Sequence, residues 1–288
     1  MTVQMEHVSV VLVIDDLEYG GAQRQVVELA NNIDAERFDV HVCTLSDYVP
    51  LGSQLRDSEN RLHTIVKKHK MDFGVALRLA HLLRTLQADI VHSYLFSADI
   101  ASRLAGRLAG TPVVIGSERN TDYVPKKRHV LAYRLTRRCV DLTIANSRAG
   151  AQFNSRTYRQ PLGDYRVVYN GVDTERFRPQ DKTAARAALG IAASNRVVGV
   201  FASFKPQKNH AMVLRAFARV IPSSPDVRLL LVGDRLYGNM NGTADYHSRM
   251  EALIDDLGIR PNCVFLGNRN DVERVYPACD LTVLSSRY

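Results

Sequence analysis

VVGVFASFKPQKNHAMVLRAFARVIP, residues Val197–Pro222, is the stretch that decides the fold. An apolar β-type run, Val197–Phe201, ends in the polar loop Ala202–Asn209. Apolar residues at helical spacing then predict an amphipathic helix. The residues that carry this pattern are Met212, Val213, Phe217 and Val220. A strand, a polar loop and a helix in this order are typical of the repeating unit of an α/β sheet.

Two lysines, Lys205 and Lys208, lie at or just before the first turn of that helix. The N-terminus of a helix is the positive end of its dipole, so it is an unfavourable place for cations unless an anion neutralises them. Helix N-termini bind phosphates through their free backbone N–H groups. The loop therefore predicts an anion site, and the alternative is a pair of solvated lysines.

Outward from this stretch, strand-like and helix-like segments alternate along the whole chain. The 288 residues suggest about two domains. We predict an α/β protein with two Rossmann-like parallel-sheet domains, the second incomplete, because seven strands precede the polar segment 179–195 and four follow it. The predicted organisation is a first domain over residues 1–178, a linker over 179–195 and a partial second domain over 196–288.

The composition is that of a globular chain, and its charge is unevenly distributed. The net charge is +8. The segment from Arg119 to Arg166 holds eleven Lys or Arg and three Asp, so it alone carries a net +8. Such a segment favours phosphates, anionic lipid headgroups or nucleic acid, and a solvated surface is the alternative. Nucleic acid is disfavoured, because the predicted basic helix Lys127–Arg138 contains no recognisable reading motif.

The cysteines and the first apolar run indicate the cellular compartment in which the chain is expected. The four cysteines show no CxxC spacing and no accompanying histidine cluster, which argues against a metal site. Free thiols in apolar runs fit a reducing cytosol. The first apolar run, Val8–Ile14, is too short to cross a membrane and is followed by acidic residues, so it does not resemble a signal peptide.

Candidate binding residues of the first half follow predicted strands. Gly20 and Gly21 open a helix after the first strand and let a phosphate or sugar approach the backbone, or simply form a tight turn. His92 lies at a strand end, where ligands bind in open α/β sheets, and a structural histidine is the alternative. Glu118, Arg119 and Asn120 follow the next strand. Arg119 has the planar donor fork that suits an anionic acceptor, and the alternative is a surface pair with Asp122.

Candidate residues of the second half also follow consecutive predicted strands. Ser203, Lys205 and Lys208 belong to the loop that opens the amphipathic helix. Asp234 and Arg235 follow the apolar strand after it, and Asn268 and Arg269 follow the next. No GxGxxG fingerprint is present, which argues against a dinucleotide-dependent oxidoreductase.

Four motifs in order resemble the family 4 glycosyltransferases of the GT-B fold. They are GGAQRQVVELA at 20–30, VVYNGVDTERFRP at 167–179, SFKPQKNH at 203–210 and LLLVGD at 229–234 with its downstream segment 264–286. The resemblance implies transfer of a sugar, with retention and without a metal or other cofactor, from a nucleotide-sugar such as a UDP- or GDP-sugar. It implies a saccharide or lipid-linked acceptor, as in surface polysaccharide assembly. The basic segment Lys126–Arg138 is then expected to dock on anionic lipid, which predicts a cytoplasmic enzyme that is peripheral on the inner face of the membrane.

The resemblance also assigns roles and reveals departures. It implies that Lys208, helped by Lys205, neutralises the leaving nucleoside diphosphate, and that Asn268 and Arg269 cradle the base through backbone groups. Many members of the family carry a histidine near Glu118 that touches the transferred sugar, and this sequence departs from the family there. Glu118 and Arg119 are the catalytic candidates at this position. Members also continue beyond LSSRY with two glutamates separated by seven residues. On that ground the alternative expectation is a truncated, non-catalytic remnant that at most binds nucleotide.

Overall fold

A computed structural model describes residues 7–69, 72, 74–119, 126–235 and 243–287. The chain forms two compact units, Met1–Gly171 and Val172–Tyr288. Each unit is built on a parallel sheet covered by helices, so the predicted α/β class is confirmed. The division between the units precedes the predicted linker, because helix α7 (Lys182–Ala188) of that segment packs within the second unit, where Arg186 donates a hydrogen bond to the carbonyl of Ala278 (3.0 Å).

The first unit contains a seven-stranded parallel sheet in the order β3-β2-β1-β4-β5-β6-β7. Its strands are β1 Val8–Ile14, β2 Phe38–Thr44, β3 Leu62–Thr64, β4 Ile90–Tyr94, β5 Val113–Glu118, β6 Leu142–Ala145 and β7 Tyr165–Val167. The strand order reverses between β1 and β4, which is where ligands bind in open α/β sheets. Its helices are α1 Gly21–Asn32, α2 Ser58–Arg61, α3 Gly74–Thr85, α4 Phe96–Ala109, α5 Lys127–Leu135 and α6 Arg148–Tyr158.

Strand β1 shows why both faces of this sheet are covered. Its residues are almost all apolar, and successive side chains point to opposite faces. Val11 and Val13 enter one core with α3 and α4, whereas Leu12 and Ile14 enter a second core with α1. A strand that is buried on both faces must lie at the middle of a helix-covered sheet.

The second unit contains a four-stranded parallel sheet in the order β10-β9-β8-β11. Its strands are β8 Val197–Phe201, β9 Arg228–Val232, β10 Cys263–Gly267 and β11 Leu281–Thr282. Its helices, with α7, are α8 His210–Val220, α9 Thr243–Asp256 and α10 Val272–Val275. Leu229 and Leu231 of β9 pack toward α8 and α9, whereas Leu230 packs on the other face.

Helix α8 differs from the sequence prediction in the face that it buries. Met212 and Val220 are exposed by 59% and 45%, so their assignment to the apolar face is wrong. The core positions are taken by Val213, Leu214 and Phe217, together with His210, which is only 1% exposed. The error arises because His210 is counted as polar, which shifts the apparent apolar stripe around the helix.

The predicted basic helix is shorter than expected. Helix α5 ends at Leu135, and a 3₁₀ turn, Arg137–Cys139, follows it. The hydroxyl of Thr136 donates to the carbonyl of Ala132 (2.8 Å), which satisfies one acceptor at the helix end. Within the described ranges, no helix has both the length and the apolar character that a bilayer span requires.

Candidate functional site

In the second unit, backbone hydrogen bonds connect the loops that follow β8, β9 and β10. The N–H of Phe204 donates to the carbonyl of Asp234 (2.9 Å), and that of Gly233 donates to the carbonyl of Gly267 (2.8 Å). These loops leave the same edge of the sheet because all four strands are parallel. The residues predicted after consecutive strands are therefore brought together at one edge.

Gly233 permits the close approach of two of these loops. Its φ is +133°, a region that only glycine adopts without strain. A Cβ at this position would lie 2.7 Å from the carbonyl carbon of Ala202 and 3.0 Å from the nitrogen of Ser203. The glycine of the LLLVGD motif thus positions the backbone at the start of the predicted phosphate loop.

The predicted phosphate loop is a 3₁₀ turn followed directly by α8. Lys205 is extended and precedes the turn Pro206–Lys208, and Asn209 adopts a left-handed conformation (φ +52°) before the helix begins. The side chain of the N-cap residue Asn209 makes no capping hydrogen bond to α8. Lys208 is half-buried beside this terminus, as the sequence predicts, and Ser285 from the segment after β11 donates its hydroxyl to the Lys208 carbonyl (2.7 Å).

His210 supports the loop from inside the unit. Its backbone N–H donates to the Tyr246 hydroxyl (2.9 Å), and its ring stacks on Phe204 at 4.4 Å between centroids. Burial lowers the pKa of His210 to about 4, so the ring is neutral at pH 7. Sequence reasoning missed His210, Tyr246 and Ser285. Only Ser285 gave a signal, because it follows the fourth strand at the same edge.

The remaining candidates of this edge differ in how their side chains are engaged. The Asp234 carboxylate accepts from the backbone N–H of Arg235 (2.7 Å), and Arg235 itself is exposed. Asn268 is exposed in the loop after β10. The Arg269 guanidinium donates two hydrogen bonds to Asp271 (2.8 and 2.6 Å), so its side chain is occupied within its own loop.

In the first unit, Gly20 and Gly21 lie where α1 begins after β1. Gly20 is the N-cap residue in an extended conformation and Gly21 is the first helical residue. A Cβ on Gly21 would meet nothing within 4 Å, so this backbone is open to solvent. Gln23, in the first turn, donates to the Asp16 carboxylate (2.8 Å) and ties the helix to the preceding loop.

His92 lies in the middle of β4 rather than at its end, and it is buried. Its Nε2 is 2.6 Å from the Ser117 hydroxyl, and its Nδ1 is 3.4 Å from the Tyr94 hydroxyl. Burial, with a smaller contribution from Arg119, lowers the pKa of His92 to about 3. The imidazole is therefore neutral, and both nitrogens already face protein hydroxyls, which fits the structural alternative.

Glu118 ends β5, but its side chain points into the unit. It is 6% exposed and accepts a hydrogen bond from the Tyr165 hydroxyl (3.3 Å). Burial and the negative charge of Asp99 raise the pKa of Glu118 to about 8, so the carboxyl group is mostly protonated at pH 7. This position does not allow direct contact between Glu118 and a substrate at the sheet edge.

A fully buried ion pair lies next to Glu118. Arg103 and Asp99, one turn apart on α4, are joined by Nη2–Oδ2 and Nε–Oδ1 contacts of 3.0 and 3.1 Å. The Ser93 hydroxyl also donates to Asp99 (2.8 Å). A Cβ on Gly116 of β5 would lie 2.8 Å from Asp99, so glycine at this position lets the pair approach the sheet. Sequence reasoning did not identify this cluster.

Arg119 lies at the carboxyl edge of the first sheet. Its guanidinium donates to the Asn170 side chain (2.7 Å) and lies 4.9 Å from the centre of the Tyr94 ring. Asn120 and the alternative partner Asp122 lie outside the described residues.

Sequence reasoning also missed a contact that holds the NGVD segment, residues 170–173 of the second motif. The Gln25 side chain donates to the Gly171 carbonyl (3.0 Å) and accepts from the Gly171 N–H (3.1 Å). Arg119 and Gln25 therefore hold the two adjacent residues Asn170 and Gly171.

Family models match nearly the whole chain. The model described as Glycosyltransferase Family 4 matches residues 19–176, which is more than half of the chain, and Glycosyl transferases group 1 matches residues 181–288. The chain belongs to glycosyltransferase family 4. The resemblance stated from the four motifs is thereby confirmed, and the two parallel sheets are those of the GT-B fold.

Relatives and solved structures agree with this assignment. The chain is 38% identical over 122 residues to D-inositol 3-phosphate glycosyltransferase of Mycobacterium sp. (strain KMS), a match that covers 42% of this chain and 26% of the relative. It is 26% identical to the UDP-Gal:alpha-D-GlcNAc-diphosphoundecaprenol alpha-1,3-galactosyltransferase of Escherichia coli, over 92% of this chain and 70% of the relative. The structure of Anabaena Alr3699/HepE in complex with UDP-glucose superposes with a TM-score of 0.82 at 23% identity, over 97% of this chain and 74% of that one.

Proposed function

We propose that this family member binds a nucleotide-sugar at the sheet edge of its second unit and transfers the sugar, a hexose, with retention of configuration. The donor is a UDP- or GDP-sugar, and the proposed chemistry uses no metal or other cofactor. The acceptor is a saccharide or a lipid-linked saccharide of surface glycoconjugate assembly, met on the cytoplasmic side.

The observation that carries the donor proposal is the start of α8. The N-cap residue Asn209 does not cap α8 with its side chain, and Lys205 and Lys208 lie beside this terminus. The N–H of His210 is already taken by the Tyr246 hydroxyl (2.9 Å), so the donors offered to a ligand are the remaining N–H groups of the first turn and the two lysines. This combination favours a diphosphate, whose oxygens accept hydrogen bonds from both kinds of donor. The Anabaena structure named above is a complex with UDP-glucose, and the Escherichia coli relative is a UDP-Gal galactosyltransferase, which supports this donor class.

The proposed chemistry needs negative charge to be stabilised on the leaving diphosphate. Cations and backbone dipoles that are already in place stabilise such charge without reorganisation. Lys208 is half-buried, and its carbonyl is held by Ser285 (2.7 Å), so its backbone is fixed before a ligand arrives. The rest of the donor is proposed to contact four side chains of this edge and one stretch of backbone. The side chains are those of Ser203, Asp234, Arg235 and Asn268, and the backbone is that of Arg269.

The acceptor is proposed to meet the carboxyl edge of the first unit. Arg119 is the residue that we assign to direct contact there, because its guanidinium is held at that edge by Asn170 and by the Tyr94 ring. A planar guanidinium binds phosphate or carboxylate groups in two-point contacts. Gly21 provides open backbone at the start of α1, and Gly20 beside it is the N-cap residue against which the Gln23 side chain packs. The buried Glu118 is assigned the maintenance of this edge and not contact with the substrate.

Calorimetry with UDP and GDP tests the donor proposal. Lys208→Ala should weaken binding of the preferred nucleotide by about 1.5–3 kcal/mol, the value of a hydrogen bond to a charged group. The control is Arg219→Ala, which removes an exposed cation from the far end of the same helix and should leave the affinity unchanged. Equal affinities of Lys208→Ala and the unaltered chain would contradict the assignment of the phosphate loop.

A further inference from the structure

Among the described residues, helix α5 packs against the first unit through one face. The His129 ring stacks on Phe96 with 3.7 Å between centroids, and the Tyr133 ring, one turn later, lies 4.8 Å from the Arg103 guanidinium. Thr136 is buried on the same side. These three positions define the inward face, since residues three and four apart share one side of a helix.

The opposite face combines two leucines with several cations. Leu131 and Leu135, one turn apart, are 56% and 74% exposed. Three exposed basic residues, Lys127, Arg128 and Arg134, lie on the same helix within one turn of a leucine, and the exposed Arg138 follows in the 3₁₀ turn. The sequence from 126 to 138, KKRHVLAYRLTRR, contains no acidic residue. Among the described residues, none of the four forms an ion pair, whereas neighbouring Arg137 pairs with Asp164 at 3.4 Å.

The charge pattern and the leucines together select a partner. A helix face with apolar residues between Lys and Arg is suited to the boundary between headgroups and acyl chains, where the leucines leave water and the cations meet lipid phosphates. A nucleic acid would satisfy the cations but not the leucines. We propose that the outward face of α5 docks on an anionic phospholipid surface, with Leu131 and Leu135 inserted into the interface.

Docking of α5 on a membrane adds a partner to the proposed function. It rests on the proposed function in one respect, because docking would bring the first unit to a lipid-linked acceptor. Membrane binding can be measured without a donor or an acceptor. A chain that binds UDP but not vesicles would overturn only the membrane proposal, and a chain that binds vesicles but not UDP or GDP would overturn only the donor assignment.

Tryptophan scanning tests the insertion, because the chain contains no tryptophan. Leu131→Trp should show a blue-shifted emission when vesicles of equimolar phosphatidylcholine and phosphatidylglycerol are added. Leu77→Trp is the matched control, since Leu77 is 64% exposed on α3 of the same unit, and its emission should stay unchanged. A blue shift that is missing from Leu131→Trp, or equal in both variants, would overturn the proposal.

Vesicle sedimentation tests the contribution of charge. Each basic residue near an anionic surface contributes about fivefold to affinity at low salt, so Lys127→Gln with Arg128→Gln should weaken binding by about 25-fold. The charge-matched control, Arg215→Gln with Arg219→Gln on the exposed side of α8, should have little effect. Leu131→Ser with Leu135→Ser should reduce binding by about tenfold at unchanged charge. Equal losses in both charge variants, or equal binding to pure phosphatidylcholine vesicles, would refute docking through α5.

Discussion

The two sheet edges are built by different means. In the second unit, hydrogen bonds between loop backbones and a glycine at φ +133° place the candidate residues. In the first unit, the edge rests on buried side chains, including the Asp99–Arg103 ion pair and the protonated Glu118. The first edge should therefore depend on charge and pH, and the second on backbone geometry.

Removing Arg103 should give the largest effect on the first unit. Arg103→Met leaves Asp99 buried without its counter-charge, which typically costs about 3–5 kcal/mol in the free energy of unfolding. The measurement is hydrogen exchange resolved by peptide, in which protection should fall in the first unit and remain in the second.

A matched control for this change lies on the same helix. Arg107 pairs with Asp141 at the surface, so Arg107→Met should lower the free energy of unfolding by less than about 1 kcal/mol. Replacing both members of the buried pair, Asp99→Leu with Arg103→Met, should recover part of the loss. Equal protection in Arg103→Met and the unaltered chain would show that the buried pair does not stabilise the first edge.

A methyl group at Gly233 should break the second edge. Gly233→Ala forces a Cβ against the Ala202 carbonyl and an unfavourable φ, and we expect a loss of about 2–4 kcal/mol in the second unit. Binding of UDP or GDP should weaken at the same time, because Ser203 begins the phosphate loop.

Gly258 provides the corresponding control. Its φ is +67°, but a Cβ would meet nothing within 4 Å, so Gly258→Ala should cost only about 1 kcal/mol. If the two alanine variants lost the same stability, the close approach of the loops would not matter, and only the backbone angle would.

The difference between the two edges also explains how much of the fold and of the candidate site could be predicted from the sequence. All eleven strands of the described residues were predicted from apolar runs, and the runs Val8–Ile14 and Val197–Phe201 coincide with β1 and β8, because a buried parallel strand has a local sequence pattern. The residues of the second edge were found because each follows a strand directly. The Asp99–Arg103–Glu118 cluster could not be found, since its members lie on α4 and β5 and meet only through packing. His210 was missed for a related reason, as its ring takes a core position that composition assigns to an apolar residue.

The smallest expected effect concerns pH and separates the two units most cleanly. The pKa of Glu118 is raised from its usual 4.5 to about 8 in the folded chain. Between these values the unfolded chain has lost the proton while the folded chain keeps it, so stability falls as pH rises. His210 has the opposite sign, because its lowered pKa of about 4 costs stability only as pH falls below its usual 6.5. From pH 6.5 to 8, Glu118 should act and His210 should not.

Glu118→Gln isolates this effect, since glutamine resembles the neutral acid in shape and carries no titrating group. From pH 6.5 to 8 the unaltered first unit should lose about 2 kcal/mol, which corresponds to 1.5 pH units for one proton, and Glu118→Gln should lose none. Hydrogen exchange, corrected for the intrinsic rate at each pH, measures both units in one sample. The second unit is the internal control and should stay constant over this range. If the stability of the first unit also stayed constant in the unaltered chain, Glu118 would be ionised at neutral pH. The contrast between a charge-dependent and a backbone-dependent edge would then rest on Arg103 alone.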